Sequence, residues 1–189
     1  MPRDASEGAR GEALRGRGRD PGRRVSHPSL TDELTGLPNH LHFDTVFEVV
    51  FELGDRGIPL SLLHVEIDGL ADYQRDRGRG HALAAVESFG RALGAATRRT
   101  DVFARIEGGR FAALLLDCNL QGGLVAADRM RDVLGGWTEE TGLTCSAGVA
   151  AHQPDMRERA ELWESAAAAL TGATRSEEHT SELQSPSAI

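Results

Sequence analysis

The sequence contains no lysine, since all 21 of its basic residues are arginine. The absence of lysine excludes every mechanism that depends on a lysine amine. Aromatic residues make up only 5% of the chain. No apolar run approaches the roughly 18 residues of a membrane-spanning helix, and the N-terminus lacks the apolar stretch of a secretory signal peptide. We therefore expect a protein without a membrane span.

Cysteine is scarce as well, with only Cys118 and Cys145. Both lie in or beside apolar, strand-like runs, which predicts buried, reduced thiols and a cytoplasmic location. The seven histidines show no ligand spacing that would indicate a metal site. A net charge of −8 argues against a general nucleic-acid-binding surface. The remaining composition, 40% apolar and 26% charged, suits one globular domain with extensions.

Residues 1–27 form a distinct N-terminal segment with almost no large apolar side chain. It holds seven arginines against four acids, so its net charge is positive. Such a segment buries too little apolar surface to offset the entropic cost of ordering. We therefore predict a disordered tail or linker. The alternative is a basic anchor for an acidic surface.

Residues 175–189 form an unusual C-terminal segment. The stretch RSEEHTSELQS, residues 175–185, is polar and aperiodic, and it resembles the translation of a short-read sequencing adapter. The same reading frame would continue through variable index bases to Ile189. We interpret residues 175–189 as a non-native tail and expect the native sequence to be cut near Thr174. The alternative is a genuine solvated tail, and sequencing of the genomic locus would distinguish the two.

Between these ends, apolar periodicity predicts alternating helices and strands. Helices are expected over 40–53, 81–97, 121–135 and 158–171, and strands over 60–67, 101–106, 110–116 and 142–150. The inward face of the second helix is expected to carry Leu83, Val86, Phe89 and Leu93. The two strands around the turn EGGR predict an antiparallel hairpin. Together these elements predict an α/β (α+β) fold, with a central, mostly antiparallel sheet of about five strands flanked by helices.

Five segments occur in a characteristic order: DELTGLPN at 32–39, EID at 66–68, RRTD at 98–101, ARIEGGRF at 104–111 and TCSAGVA at 144–150. The first matches the specific signature D-x-L-T-G-L-P-N. In this order and spacing the segments resemble the GGDEF family, the diguanylate cyclase domain, over roughly residues 30–174. The resemblance implies a nucleotidyl-cyclase-like fold. In active members it also implies condensation of two GTP molecules to cyclic di-GMP with Mg²⁺.

The resemblance also implies where metal would bind: an acid from the D-x-D strand end and the third residue of the GG[DE]EF turn. Phosphoryl chemistry of this kind depends on positioning and on charge neutralisation by cations, and Mg²⁺ prefers carboxylate oxygens. Here Glu66 keeps a carboxylate as a weak metal-site remnant, but Gly109 has no side chain. Arg110 replaces a glutamate that contacts guanine, and arginine only donates hydrogen bonds. We therefore expect no catalytic residue in the turn Glu107, Gly108, Gly109, Arg110, Phe111.

Other nucleotide contacts implied by the family differ as well. In a gap-free alignment the guanine-contacting asparagine falls on Gln74 and the guanine-contacting aspartate on Leu83. Leucine cannot accept a hydrogen bond, and an unpaired polar partner costs about 1–3 kcal/mol. The phosphate-binding lysine falls on Thr174. A two-residue shift would align Gly80 and His81 with the family's Gly-His pair, but it would break the spacing to EGGRF.

Arg98 and Asp101 match a further family feature, an R-x-x-D five residues before the turn. The resemblance implies a binding site for cyclic di-GMP away from catalysis. An arginine can grip guanine or phosphate, and a carboxylate can accept from guanine N–H groups. The alternative is a solvated arginine at a helix end and an aspartate at a strand start.

The sequence therefore favours a catalytically degenerate GGDEF domain over residues 28–174. It would act in the cytoplasm as a cyclic di-GMP binding or interaction module in bacterial second-messenger signalling. No cofactor is expected, and the expected ligand is cyclic di-GMP rather than GTP. A second copy or another GGDEF-type signalling protein would be its protein partner. The alternatives are an active, Mg²⁺-dependent diguanylate cyclase and a structural dimerisation module without ligand.

Overall fold

The computed structural model describes residues 29–183, with backbone alone from 174 onward. The tail predicted at 1–27 and residues 184–189 lie outside the described residues. The elements are, in order, α1 His40–Asp55, β1 Leu60–Ile67, α2 Leu70–Arg77, α3 Arg79–Ala96, β2 Val102–Glu107, β3 Arg110–Leu116, α4 Leu120–Thr141, β4 Cys145–Ala151 and α5 Arg159–Leu183.

The strands form one sheet in the order β2-β3-β1-β4, and all neighbouring pairs are antiparallel. The sheet has four strands within residues 29–183, so the predicted count of about five was too high. Each of the four apolar segments proposed as strands is present, and the mostly antiparallel arrangement is confirmed. Helices α2 and α3 connect β1 to β2, and α4 connects β3 to β4. In the strand order of the sheet, β1 lies at the centre, between β3 and β4.

Strand β1 is buried on both faces, which explains why apolar side chains occur on both of them. Leu63, Val65 and Ile67 point into the core shared with α3 and α4. Leu60 and Leu62 point into the core shared with α1 and α5. The protein therefore has three layers, with two helices against each face of the sheet.

Helix α1 begins where the sequence predicts. Asn39 caps it by accepting a hydrogen bond from His42 N at 3.1 Å, which satisfies a backbone donor of the first turn. Phe43, Phe47 and Phe51 of this helix are buried against the sheet. The capped start holds the preceding loop against the sheet.

Two helical predictions require correction. Helix α2 was not predicted, because its polar sequence LADYQRDR buries no side chain completely. Asp72 in its first turn and Arg75 and Arg77 in its last suit the helix dipole instead. Leu83 was predicted to face inward on α3 but is 37% exposed, because Ala82 and Ala85 occupy the buried positions.

The later helices run further than predicted. Helix α4 passes through Gly135 and Gly136, at which the sequence suggested an end, because Trp137 is buried beyond them and donates from its indole N–H to Ala85 O at 3.1 Å. Helix α5 continues past 171 to Leu183. The adapter origin of residues 175–189 stays a prediction.

The structure also bears on the two cysteine thiols and on the expectation of no membrane span. Cys118 and Cys145 are reduced thiols, but both are half-buried rather than buried. Among the described residues, no helix combines the length and apolar character needed to cross a bilayer.

Candidate functional site

A cleft of about 640 Å³ lies where β1 ends, between the β2–β3 turn and the start of α2. Six residues singled out from the sequence line it: Glu66, Gln74, Glu107, Gly108, Gly109 and Arg110. Leu83 does not line this cleft among the described residues. The structure therefore brings the metal and base positions together but leaves the predicted guanine position at Leu83 outside.

The gap-free alignment, which assigned positions 74 and 83, places the family's glycine at Gly78. This glycine separates α2 from α3 and has a φ of +89°, a conformation that favours glycine. Gly80, the alternative position for the family's glycine, lies inside α3 instead. The break between the two helices therefore supports the alignment without a shift.

The turn between β2 and β3 keeps the backbone geometry that its glycines permit. Gly108 has a φ of +51°, and Gly109 O accepts a hydrogen bond from Ile67 N at 3.0 Å. A Cβ added at Gly109 would lie 2.8 Å from Leu70 Cδ2. A side chain at position 109 therefore requires Leu70 to move.

Arg110 occupies the centre of the cleft as a cation between two carboxylates. Its Nε donates to Glu66 Oε1 at 3.0 Å and its Nη1 to Glu107 Oε1 at 3.2 Å. The hydrogen bond and the charge of Glu66 raise the pKa of Arg110, with a smaller contribution from Glu107. The carboxylate of Glu66 is thus already paired with a permanent positive charge.

These residues do not fit the Mg²⁺ that the family uses. Glu66 is paired with Arg110, and Gly109 contributes no oxygen from a side chain. Asp68, the second acid of EID, turns toward β4 and accepts from Thr144 Oγ1 and Ser146 Oγ, each at 2.9 Å. Among residues 29–173, whose side chains the structure describes, no group of three or more acids, histidines or cysteines could hold a metal ion. The donor set lacks the converging oxygens that Mg²⁺ prefers.

Arg105 has a positioning role that sequence reasoning missed. Its Nη1 pairs with Asp32 Oδ2 at 2.9 Å, while its Nε and Nη2 donate to Gly108 O at 3.0 and 2.9 Å. Asp32 also accepts from Thr35 N and Oγ1. Burial would raise the pKa of Asp32, but the hydrogen bonds from Thr35 and the charge of Arg105 outweigh it and lower the pKa.

Arg105 thereby ties the turn to the loop that carries DELTGLPN. Both residues lie in the quoted motifs, ARIEGGRF and DELTGLPN. Their presence in two motifs was the signal that the sequence offered, but it did not reveal that the two residues are in contact.

A second cleft, of about 440 Å³, contains Arg98 and Asp101. It lies between the α3–β2 connection, the end of β3 and α4. Asp101 N donates to Arg98 O at 3.1 Å, which forms a turn. Arg98 is exposed and Asp101 half-buried. The spacing R-x-x-D thus brings a cation and an anion to one cleft, as the sequence predicted.

Arg129 of α4 lines the same cleft. Its Nε is buried and has no hydrogen-bond partner among the described residues. An unpaired buried donor is costly, so the group favours a ligand acceptor. Nothing in the sequence singled out Arg129, because it lies 28 residues beyond Asp101 on an ordinary amphipathic helix.

Cys118 also borders this second cleft. Burial raises the pKa of its thiol, and the nearby charge of Asp101 raises it further, while Arg98 opposes this effect. A raised pKa keeps the thiol protonated and unreactive near neutral pH. The cleft therefore suits binding rather than cysteine chemistry.

The geometry can be set beside known proteins. The family model described as diguanylate cyclase, GGDEF domain, matches residues 29–180. A comparison of the sequence with curated proteins found no match.

Solved structures resemble the fold closely. The diguanylate cyclase SiaD from Pseudomonas aeruginosa, solved with its activator SiaC, superposes with a TM-score of 0.73 at 27% identity, over 78% of this chain and 59% of the SiaD chain. The GGDEF domain of FimX from Pseudomonas aeruginosa gives 0.71 at 20% identity, over 78% and 95%. The GGDEF domain of DgcB from Caulobacter crescentus, solved in complex with cyclic di-GMP, gives 0.70 at 20%, over 81% and 94%.

The family model covers most of the chain, and the antiparallel sheet with its two helical layers is the fold of these structures. The chain therefore belongs to the GGDEF family of diguanylate cyclase domains.

Proposed function

We propose that this GGDEF domain binds cyclic di-GMP in the cleft of Arg98, Asp101 and Arg129 and does not condense GTP. The domain would then act as a receptor or interaction module in cyclic-dinucleotide signalling. The observation that carries the proposal is the convergence of Arg98, Arg129 and Asp101 on one cleft, which Asp117 also lines, with the buried Nε of Arg129 left without a partner among the described residues.

The chemistry of this cleft suits a guanine nucleotide. Arg98 and Arg129 supply donors for phosphate oxygens or for guanine O6 and N7. Asp101 supplies an acceptor for the guanine N1 and N2 hydrogens. The cleft volume of about 440 Å³ lies in the range of small-molecule sites. The DgcB domain, which shares the fold, was solved with cyclic di-GMP bound.

The lack of turnover is inferred from the first cleft. Arg110 neutralises the carboxylate of Glu66, so this oxygen is engaged before any metal approaches. Gly109 lacks the second ligand, and Leu70 occupies the space that a side chain there would need. Condensing two triphosphates requires cations to neutralise the phosphate charge. One arginine cannot replace that constellation and also orient the attacking hydroxyl.

Calorimetric titration with cyclic di-GMP tests the binding half of the proposal. The full chain should release heat with a defined stoichiometry, and Arg98→Ala should weaken binding by about tenfold or more. Arg99→Ala is the matched control, because Arg99 is the neighbouring exposed arginine and does not line the cleft among the described residues. Equal affinity of both variants would contradict the assigned site.

Incubation with GTP and Mg²⁺ or Mn²⁺, followed by chromatography of the nucleotides, tests the catalytic half. We expect unchanged GTP. The competing proposal is an active diguanylate cyclase, which is favoured by the persistence of the first cleft with Glu66 and Gln74. Clear formation of cyclic di-GMP would establish that alternative. Absence of both heat and turnover would leave a structural dimerisation module.

A further inference from the structure

We propose that the arginine-rich segment 1–27 of this chain docks in an acidic groove along α1. The groove has a volume of about 1000 Å³ and lies between α1 and the start of α5. Aromatic side chains form its floor: Phe47, Phe51 and Trp163. Six carboxylates line it against two arginines; the acids are Asp44, Glu48, Glu52, Asp55, Glu107 and Glu158.

The acids of α1 follow a regular row. Asp44, Glu48 and Glu52 are spaced by four residues, so they lie on one side of the helix. Four residues of α-helix advance about 6 Å along the axis. The row therefore offers carboxylates at an even repeat above the aromatic floor.

One arginine already lies in this groove and shows how a guanidinium is held there. Arg159 from α5 pairs with Asp44 at 3.3 Å and with Glu48 at 3.5 Å. Its Cζ lies 5.7 Å from the centroid of the Phe47 ring. The arginine thus combines two carboxylates with a cation–π contact.

The same arrangement of two acids around one phenylalanine repeats one turn further along α1. Glu48 and Glu52 flank Phe51 as Asp44 and Glu48 flank Phe47. Glu52 has no ion pair in the part of the chain that the structure describes. This second position therefore favours a further guanidinium.

Residues 15–24, RGRGRDPGRR, have the complementary composition, with five arginines and one acid. Arg15, Arg17 and Arg19 alternate with glycine. In an extended chain, alternate residues are about 7 Å apart, close to the repeat of the acidic row. A peptide in that conformation would present arginines at the repeat of the acidic row, so that one of them can reach the position at Glu48 and Glu52 beyond Arg159.

The chain enters the domain at the appropriate place. Ser29 O accepts a hydrogen bond from Asn39 Nδ2 at 2.7 Å, and His40, which follows Asn39, lines the groove. The ten residues from Arg19 to Ser29 can span about 33–36 Å. The row from Asp44 to Asp55 extends about 16 Å. The segment is therefore long enough, and its tether raises the effective concentration at the groove.

The absence of lysine makes a sharp test available. Arg17→Lys in the full chain preserves the charge and introduces the sole lysine, whose amine a carbodiimide can couple to a nearby carboxylate. The amide forms as the activated carboxylate loses urea. Mass spectrometry of the digested monomer then identifies the partner, and amides of the N-terminal amine are separated by their peptide masses.

We expect the amine introduced by Arg17→Lys to couple mainly to Glu48 or Glu52, with a yield about tenfold lower in 1 M NaCl because salt screens the attraction. Glu48→Gln with Glu52→Gln should abolish these amides. Asp128→Asn with Asp132→Asn, on α4, is the matched control and should not affect them. Three results would overturn the proposal: no amide to α1, equal coupling to α4, or a cross-linked dimer as the main product in dilute solution.

Discussion

Arg110 donates a hydrogen bond from Nε to Glu66 Oε1 over 3.0 Å, across two strands that pair in register at these residues. The pair places a permanent cation against Glu66, the carboxylate that the sequence led us to expect as the remnant of a metal site. Because the guanidinium belongs to the chain, this neutralisation does not depend on any ion in solution. The cleft is present beside the turn, but the carboxylate of Glu66 in it is already paired with a cation of the same chain.

Restoring the acids should restore metal affinity. In Gly109→Asp/Arg110→Glu we expect binding of Mn²⁺ that the wild type lacks, because carboxylates would then converge with Glu66. Titration followed by electron paramagnetic resonance measures it. Adding Leu70→Ala should strengthen the effect, since Leu70 Cδ2 lies 2.8 Å from the new Cβ. Arg110→Gln alone, which removes the cation but adds no ligand, is the control; equally tight Mn²⁺ binding by the wild type would contradict this explanation.

Arg129 should contribute to cyclic di-GMP affinity. Arg129→Gln removes from the second cleft the guanidinium whose Nε is buried and should weaken binding by about tenfold or more. Arg131→Gln, two residues along the same helix, changes an exposed arginine that pairs with Asp128 and should have little effect. Calorimetry compares the two variants, and a loss of affinity in Arg131→Gln alone would locate the ligand elsewhere.

Arg105 should stabilise the domain. The Arg105 and Asp32 side chains are only 16% and 19% exposed, and Arg105 also holds the carbonyl of Gly108. Arg105→Ala leaves a mostly buried carboxylate unpaired and should lower the free energy of unfolding by about 2–3 kcal/mol. Arg91→Ala breaks an exposed pair with Glu87 and should cost about 0.5 kcal/mol or less. Urea unfolding measures both, and equal losses would remove the special role of Arg105.

Buried His64 should make stability depend on pH. Its Nε2 has no hydrogen-bond partner among the side chains and backbone that the structure describes, and its ring packs against Trp163. Burial lowers the pKa of His64 to about 4, with a contribution from the charge of Arg110. In the unfolded chain the pKa returns to its ordinary value of 6.5. As pH falls from about 6.5 toward 4, the unfolded chain gains a proton that the folded chain excludes, so stability falls.

The size of this effect can be measured by urea unfolding at pH 7.5 and pH 5. His64→Leu should lose about 1–2 kcal/mol less than the wild type between the two conditions. His40→Gln, which replaces an exposed histidine, serves as the control. A pH dependence unchanged by His64→Leu would show that other groups dominate.

The sequence predicted the elements whose side chains are buried in a regular pattern. Strand β1 matched its predicted bounds of 60–67 because both of its faces are buried, which makes the segment rich in large apolar side chains. Helix α2 was not predicted because none of its side chains is fully buried, so its sequence shows no apolar periodicity. The prediction that Leu83 faces inward was wrong because alanines, rather than this larger side chain, occupy the buried positions at the start of α3.

The candidate sites were predictable only as far as motifs reach. Spacing placed Arg98 with Asp101 and placed Glu66 near the turn. It could not reveal that Arg110 pairs with Glu66, a contact across 44 residues that depends on the register of β1 and β3. Arg129 could not be found either, because its role depends on the packing of α4 beside a distant loop.

Gly148 in β4 lets α5 approach the sheet so closely that a methyl group there would collide with the backbone of Ala166 and Leu170. The sheet and the last helix therefore touch main chain to main chain, without side chains to absorb a change. A larger residue at 148 would therefore require α5 to shift, and Trp163 with it, which would change the α5 side of the acidic groove.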